Sequence, residues 1–107
     1  MANKYGFRFT PLAESDIDSA LSYISITLCN GQAALKLLSD IEKTITTICE
    51  FPYSFADCKR FLVQDENIRH VSIDNYVFIY EIREQEKQIN ILRFLYSRMD
   101  LAKTDIR

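Results

Sequence analysis

Residues 75–97 read NYVFIYEIREQEKQINILRFLYS. Two runs rich in Ile, Val, Phe and Tyr flank the charged link Glu84-Gln85-Glu86-Lys87. Aromatic and β-branched residues suit a pleated, half-buried surface. A link this short makes its two strands antiparallel neighbours. Tyr76 to Ile82 carries a single charge, so this run is expected at the centre of a sheet. Upstream, NIRHVSI (67–73) is a third such run, joined to the second by Asp74-Asn75. KRFLVQ (59–64) is a short strand candidate at the edge, and PYSFADC (52–58) reads as a loop.

The first half of the chain has a different period. In KYGFRFT, Tyr5, Phe7 and Phe9 alternate with Gly6, Arg8 and Thr10, which places three aromatics on one face of a strand. Thr10-Pro11 supplies an N-cap oxygen and a residue whose fixed φ suits the first helical position. Ala13, Ile17, Ala20, Leu21, Ile24 and Leu28 then form a stripe at spacings of three and four, predicting a helix over 11–28. Glu14, Asp16 and Asp18 sit in its first turns, where the helix dipole favours negative charge, and the pair Asp16/Asp18 is expected to be solvated. Asn30-Gly31 is expected to end this helix in left-handed geometry. A second stripe, Ala34, Leu38, Ile41, Ile45 and Ile48, runs to Phe51-Pro52, where the proline stops it. So short a connection folds the two helices into an antiparallel hairpin. The expected fold is α+β, in the order β-α-α-β-β-β, an antiparallel sheet with the hairpin on one face and a single domain over 1–107.

Composition bounds what such a domain does. The net charge of −2 offers no global basic field for nucleic acid. The charge is uneven, with four Lys/Arg against seven Asp/Glu in residues 1–58 and nine against eight in 59–107. An anion-binding surface would therefore be a local patch in the second half. Cys29, Cys49 and Cys58 lack metal-type spacing, and MANKYGFRFT shows no basic-then-apolar signal region. A cytoplasmic protein with reduced cysteines and no bound metal or cofactor is expected. No apolar run approaches the roughly 18 residues that would span a bilayer, so no membrane association is expected. Two glycines cannot build a phosphate-cradling loop.

One cluster of chemical groups stands out: Arg69, His70, Tyr80, Tyr96 and Arg98, on or near the last three strands. Metal-free RNA cleavage needs a proton acceptor, a cation for the phosphorane and an acid for the leaving oxygen. His70 or a tyrosine could move protons, and the arginines could hold phosphate. Against this, Arg69 and His70 are adjacent on a strand and face opposite sides. Mid-strand tyrosines more often pack a sheet than catalyse. Along the last strand a strict period of two sends Ile89, Ile91, Arg93 and Leu95 one way, and Asn90, Leu92, Phe94, Tyr96 and Arg98 the other. Neither set is cleanly polar. A sheet covered on one side would leave aromatic and cationic groups facing a groove, a surface suited to a protein partner.

Element order and particular residues together resemble the RelE/ParE superfamily of bacterial toxins from toxin–antitoxin pairs. The resemblance spans residues 5–102 and rests on Thr10-Pro11-Leu12-Ala13-Glu14, Tyr23-Ile24, Phe51-Pro52, IRHVSIDNYVFIYEI and ILRFLYSRMDL. RelE-type members cut messenger RNA on the ribosome. A tyrosine-arginine pair commonly opens their penultimate strand, where this chain has Tyr76-Val77. Arg98 falls where a second catalytic arginine of that branch would lie, but the late tyrosine of that branch would fall near Thr104 or is missing. The histidine-tyrosine ending of the YoeB-like branch is absent. The ParE branch closes with a segment like R-(apolar)-L-H-x-R-M-D, which Arg93-Phe94-Leu95-Tyr96-Ser97-Arg98-Met99-Asp100 matches with Tyr96 in place of histidine.

The ParE resemblance implies a toxin neutralised by a cognate antitoxin and acting on a protein such as DNA gyrase. Arg93, Tyr96, Arg98, Met99 and Asp100 would then be target contacts, with no catalytic role. The antitoxin would lie across Ile17, Leu21, Tyr76, Phe78 and Phe94 as an amphipathic segment. The RelE alternative implies a ribosome-dependent endoribonuclease using Arg69, His70, Tyr80, Tyr96 and Arg98. A toxin degenerated into a binding module is a third possibility.

Overall fold

A computed structural model describes residues 5–57 and 67–96. Strand β1 (Gly6–Phe9) leads through Thr10 into helix α1 (Pro11–Ser22). The Thr10 hydroxyl accepts from the Ala13 N–H, the N-cap anticipated ahead of Pro11. A π-helical turn over Tyr23–Thr27 follows, then α2 (Gly31–Glu50), a 3-10 turn (Pro52–Ser54) and the two-residue strand β2 (Ala56–Asp57). Strands β3 (Ile68–Ile73), β4 (Tyr76–Arg83) and β5 (Gln88–Tyr96) complete the sheet. Among the described residues the order is β1-β5-β4-β3-β2, with β4 central as its composition predicted.

The α+β architecture, the element order and the hairpin on one face are as expected, but several details differ. The sheet is mixed, because β1 pairs parallel to β5 while the other pairings are antiparallel. Short links impose antiparallel pairing only on consecutive strands. β1 reaches β5 across the whole helical hairpin, and such crossovers return the chain in parallel. At the edge, Ala56-Asp57, inside the segment read as a loop, pairs with Arg69 and His70. The expected strand at 59–64 lies outside the described residues.

The helix junction also differs. Cys29 takes the left-handed conformation (φ 49°), while Asn30 (φ −128°) caps α2 by accepting from the Ala33 N–H. Gly31 is therefore the first residue of α2. An asparagine side chain serves an N-cap and a left-handed site equally, and here the four orphan N–H groups of a 20-residue helix claim it.

A bulge in β5 overturns the strict alternation. Ile79 pairs with Arg93 but Tyr80 pairs with Ile91, which makes Leu92 the extra residue. Ile89, Ile91 and Phe94 consequently face the helices with Phe78, Tyr80 and Ile82. Leu92 and Leu95 join Ile68, Val77 and Ile79 in a second buried cluster on the opposite face. That face is closed and apolar at these positions, not an open groove.

Candidate functional site

Helix α1 divides the accessible surface into two regions, as its 3.6-residue period dictates. Glu14, Ile17, Asp18 and Leu21 lie on one flank; Asp16, Ser19, Ala20 and Tyr23 lie on the other. The first flank faces a cleft of about 530 Å³ between α1 and α2, bounded by β1. Phe7 and Phe9, in edge-on contact at 5.9 Å, line it together with Leu38, Ile41 and Ile45. Glu14, Asp18, Glu42 and Thr46 supply its polar lining, and none of the described lining residues is cationic.

The second flank meets the end of β5 at an aromatic ledge. Tyr76 stacks on Phe94 (4.7 Å, 12°) and meets Tyr96 edge-on at 5.6 Å. Tyr23 (53% exposed) and Tyr96 (39%) present their rings to solvent. Burial first, and then the neighbouring Tyr96 and Tyr23 hydroxyls, push the Tyr76 phenol above its ordinary range, so it remains a hydrogen-bond donor at neutral pH. The ledge is held in place by Asp16. β1 ends at Phe9, leaving the outer edge of β5 bare beyond Ile91, and α1 covers it. The Thr10 hydroxyl donates to the Leu92 carbonyl (3.0 Å), and Asp16 accepts from the Phe94 N–H (3.0 Å). Arg93 clasps the same carboxylate through Nε (2.7 Å) and Nη2 (3.1 Å). With both side chains largely covered, at 13% and 16% exposure, Asp16 is an internal anchor, not the solvated helix-start charge expected of it.

The residues weighed for RNA cleavage are not brought together. Register confirms that Arg69, opposite Tyr80, and His70, opposite Ile79, point to different faces. Tyr80 is fully buried and its hydroxyl donates to the Pro52 carbonyl at 2.6 Å. Arg69 donates to the Tyr53 and Phe55 carbonyls and stacks over the Tyr53 ring. Tyr96 sits opposite Tyr76, four residues along β4 from Tyr80 and hence about 13 Å away. Arg98, Met99 and Asp100 lie outside the described residues. Val77, at the position where the RelE branch carries arginine, is a core side chain.

The residues expected to meet an antitoxin separate as well. Ile17 and Leu21 line the cleft, whereas Tyr76 and Phe94 belong to the ledge across α1. Phe78 is a correction, since it is fully buried and no partner reaches it. The sequence reading missed the carboxylates lining the cleft and the place of Tyr23 on the ledge. Only the helix period carried a signal for them.

Glu84, read as an ordinary turn charge, is the hub of a network. It accepts from the Tyr5 hydroxyl (2.6 Å), the Tyr53 hydroxyl (2.9 Å) and the Lys87 ammonium. The bond from Lys87, followed by those from the two tyrosines, lowers its pKa to about 2. The network ties the start of β1 and the 3-10 turn to the β4–β5 link, where Lys87 takes a left-handed conformation (φ 50°). Among the described residues no set of His, Cys, Asp and Glu is placed to hold a metal ion, and no helix is long and apolar enough to cross a membrane.

A helical hairpin over a mixed sheet, flanked by an apolar cleft and an aromatic ledge, defines a small α+β protein of RelE/ParE architecture. The family described as "ParE toxin of type II toxin-antitoxin system, parDE" matches residues 7–101, and the chain belongs to it. Among solved structures, a chain of the "Chromosomal ParDE TA system from P. aeruginosa" is similar, with a TM-score of 0.67 and 18% identity. The match covers 89% of this chain and 98% of that one, and at this identity it is a likeness of fold. No curated protein matches the chain.

Proposed function

We propose that this chain is held inactive by a cognate antitoxin and, when released, acts in the cytoplasm by binding a protein, DNA gyrase, without cutting RNA. Family membership supports a toxin with an antitoxin partner. The observation that carries the mode of action is where the polar groups are engaged. The Tyr80 hydroxyl and the Arg69 guanidinium bond backbone carbonyls within the fold, while large aromatic and aliphatic side chains, Phe7, Tyr23, Leu28 and Tyr96 among them, are exposed. Aromatic side chains of this kind anchor protein interfaces. Tyr96 and Tyr23 are the target contacts, together with Arg98, Met99 and Asp100. Arg93 positions the ledge through Asp16.

Induction in cells tests this reading. An SOS response and filamentation with intact transcripts are expected, together with loss of supercoiling by purified gyrase. Rapid arrest of translation with cleaved transcripts would instead establish the endoribonuclease. His70→Ala is expected to leave toxicity intact in a folded protein.

A further inference from the structure

The aromatic ledge opens on both sides of one tyrosine triad. A hollow of about 530 Å³ runs from Asp16 and Arg93 to the rings of Tyr23, Tyr76 and Tyr96. A second hollow, of about 610 Å³, leads from the same three rings to Leu28, Asn30 and Lys36. The π-helical turn after α1 shapes the second one. Its closing bond runs from the Leu28 N–H to the Tyr23 carbonyl, five residues back, at 3.0 Å. Tyr23 and Leu28 thereby come to line one hollow, with Leu28 exposed. An α-helix would carry residues five apart about 140° round its axis, and Leu28 would leave the groove. Wide turns of this kind recur at functional sites. Among the described residues that line the two hollows, every charged side chain has an opposite partner. Arg93 holds Asp16, and Lys36 holds Asp40 and Asp74.

We propose that this tyrosine-rimmed groove takes an uncharged, proline-rich segment of the target protein in the extended polyproline conformation. This rests on the protein-target reading above and specifies the chemistry of the segment bound. The rings favour such an occupant, because aromatic-lined grooves dock proline-rich segments whose helix is already formed before binding. That helix has no internal hydrogen bonds, so its carbonyls are free to accept from tyrosine hydroxyls. A helical segment would use its own carbonyls and leave the phenolic donors without backbone acceptors. Strand addition is shut out at this end of the sheet. The Thr10 hydroxyl already occupies the Leu92 carbonyl, and Asp16 occupies the Phe94 N–H. Charge decides the rest. With the lining charges paired among themselves, a charged segment would be desolvated without compensation and an uncharged one would not.

The probe is acetylated, amidated decaproline, titrated into the purified full chain and followed by amide NMR shifts, with a Gly-Ser peptide of the same length as control. Saturable binding is expected, with the largest shifts at Tyr23, Leu28, Tyr76 and Tyr96. Tyr76→Phe keeps the ring and removes one donor, so decaproline should bind roughly two- to tenfold more weakly. Tyr23→Ala removes an exposed ring and should weaken binding about tenfold or more. The amide spectra of both variants show whether they are folded. No saturable binding, equal binding of the Gly-Ser peptide, or shifts centred on Phe7 and Phe9 would overturn the proposal. So would tighter binding of an amphipathic helical peptide or of oligouridylate at the same tyrosines. Excess decaproline is further expected to relieve inhibition of gyrase by wild type, and undiminished inhibition with the groove saturated overturns a proline-rich target segment. The two readings fail separately. If decaproline leaves the groove untouched while wild type inhibits gyrase and Tyr23→Ala does not, the protein contact stands and the proline-rich occupant is overturned. If wild type leaves gyrase active, the named target falls, and saturable decaproline binding at the triad still supports the occupant.

Discussion

Asp16→Ala removes the acceptor that fastens α1 to the bare edge of β5. The carboxylate takes two bonds from Arg93 and one from the Phe94 N–H. Hydrogen bonds to a charged group contribute about 1.5–3 kcal/mol each, but the two to Arg93 belong to one ion pair and do not add independently. Removing one partner of a buried pair costs about 3–5 kcal/mol. Residual exposure of 13% and 16% lets water reach the Arg93 guanidinium once the carboxylate is gone, which lowers the expected loss to about 3 kcal/mol. With a urea slope of about 1–3 kcal/mol per M, the unfolding midpoint falls by roughly 1–3 M. Asp16→Asn keeps an oxygen for the Phe94 N–H and loses the charge, so about half the effect remains, since a charge-assisted bond is roughly twice as strong as a neutral one. A double-mutant cycle with Arg93→Ala should return a coupling of about 2 kcal/mol. A midpoint shift below about 0.3 M for Asp16→Ala, or strict additivity with Arg93→Ala, would refute the anchoring role.

Three further outcomes are expected. Tyr80→Phe leaves the buried Pro52 carbonyl without its donor and costs about 1–3 kcal/mol in chemical denaturation, yet the folded variant retains toxicity; complete loss of toxicity would restore Tyr80 as a catalytic group. Glu84→Gln removes an acid-sensitive element. Because its pKa falls from the ordinary 4.5 to about 2 on folding, the carboxylate stabilises the native state fully above 4.5 and progressively less as pH falls toward 2. The variant should lose stability at pH 7 and show a flatter pH profile between those values, read by thermal unfolding across that window. Asn30→Ala deletes the cap of α2 at a cost of about 1 kcal/mol, visible as a lower thermal midpoint.

The existence and order of the elements were legible in the chain because each is a local statement. The two helical stripes, the Thr10 cap, the stop at Phe51-Pro52 and the apolar runs of the last strands depend on residues a few positions apart. The candidate surfaces were legible only in fragments. Ile17 and Leu21 line the cleft, whereas Phe78 belongs to the core and Tyr76 to a different surface. A helix period identifies a face without saying whether a sheet or solvent meets it.

Local patterning along the chain thus determined the kind of fold, the helical hairpin and the central place of Tyr76 to Ile82. Tertiary structure alone decided the parallel pairing of β1, the bulge at Leu92 that exchanges the faces of β5, and the union of Asp16 with Arg93 across 77 positions. Each of these joins groups remote in sequence. Their partners are chosen by what the packed layers leave unpaired, and no local period records that choice.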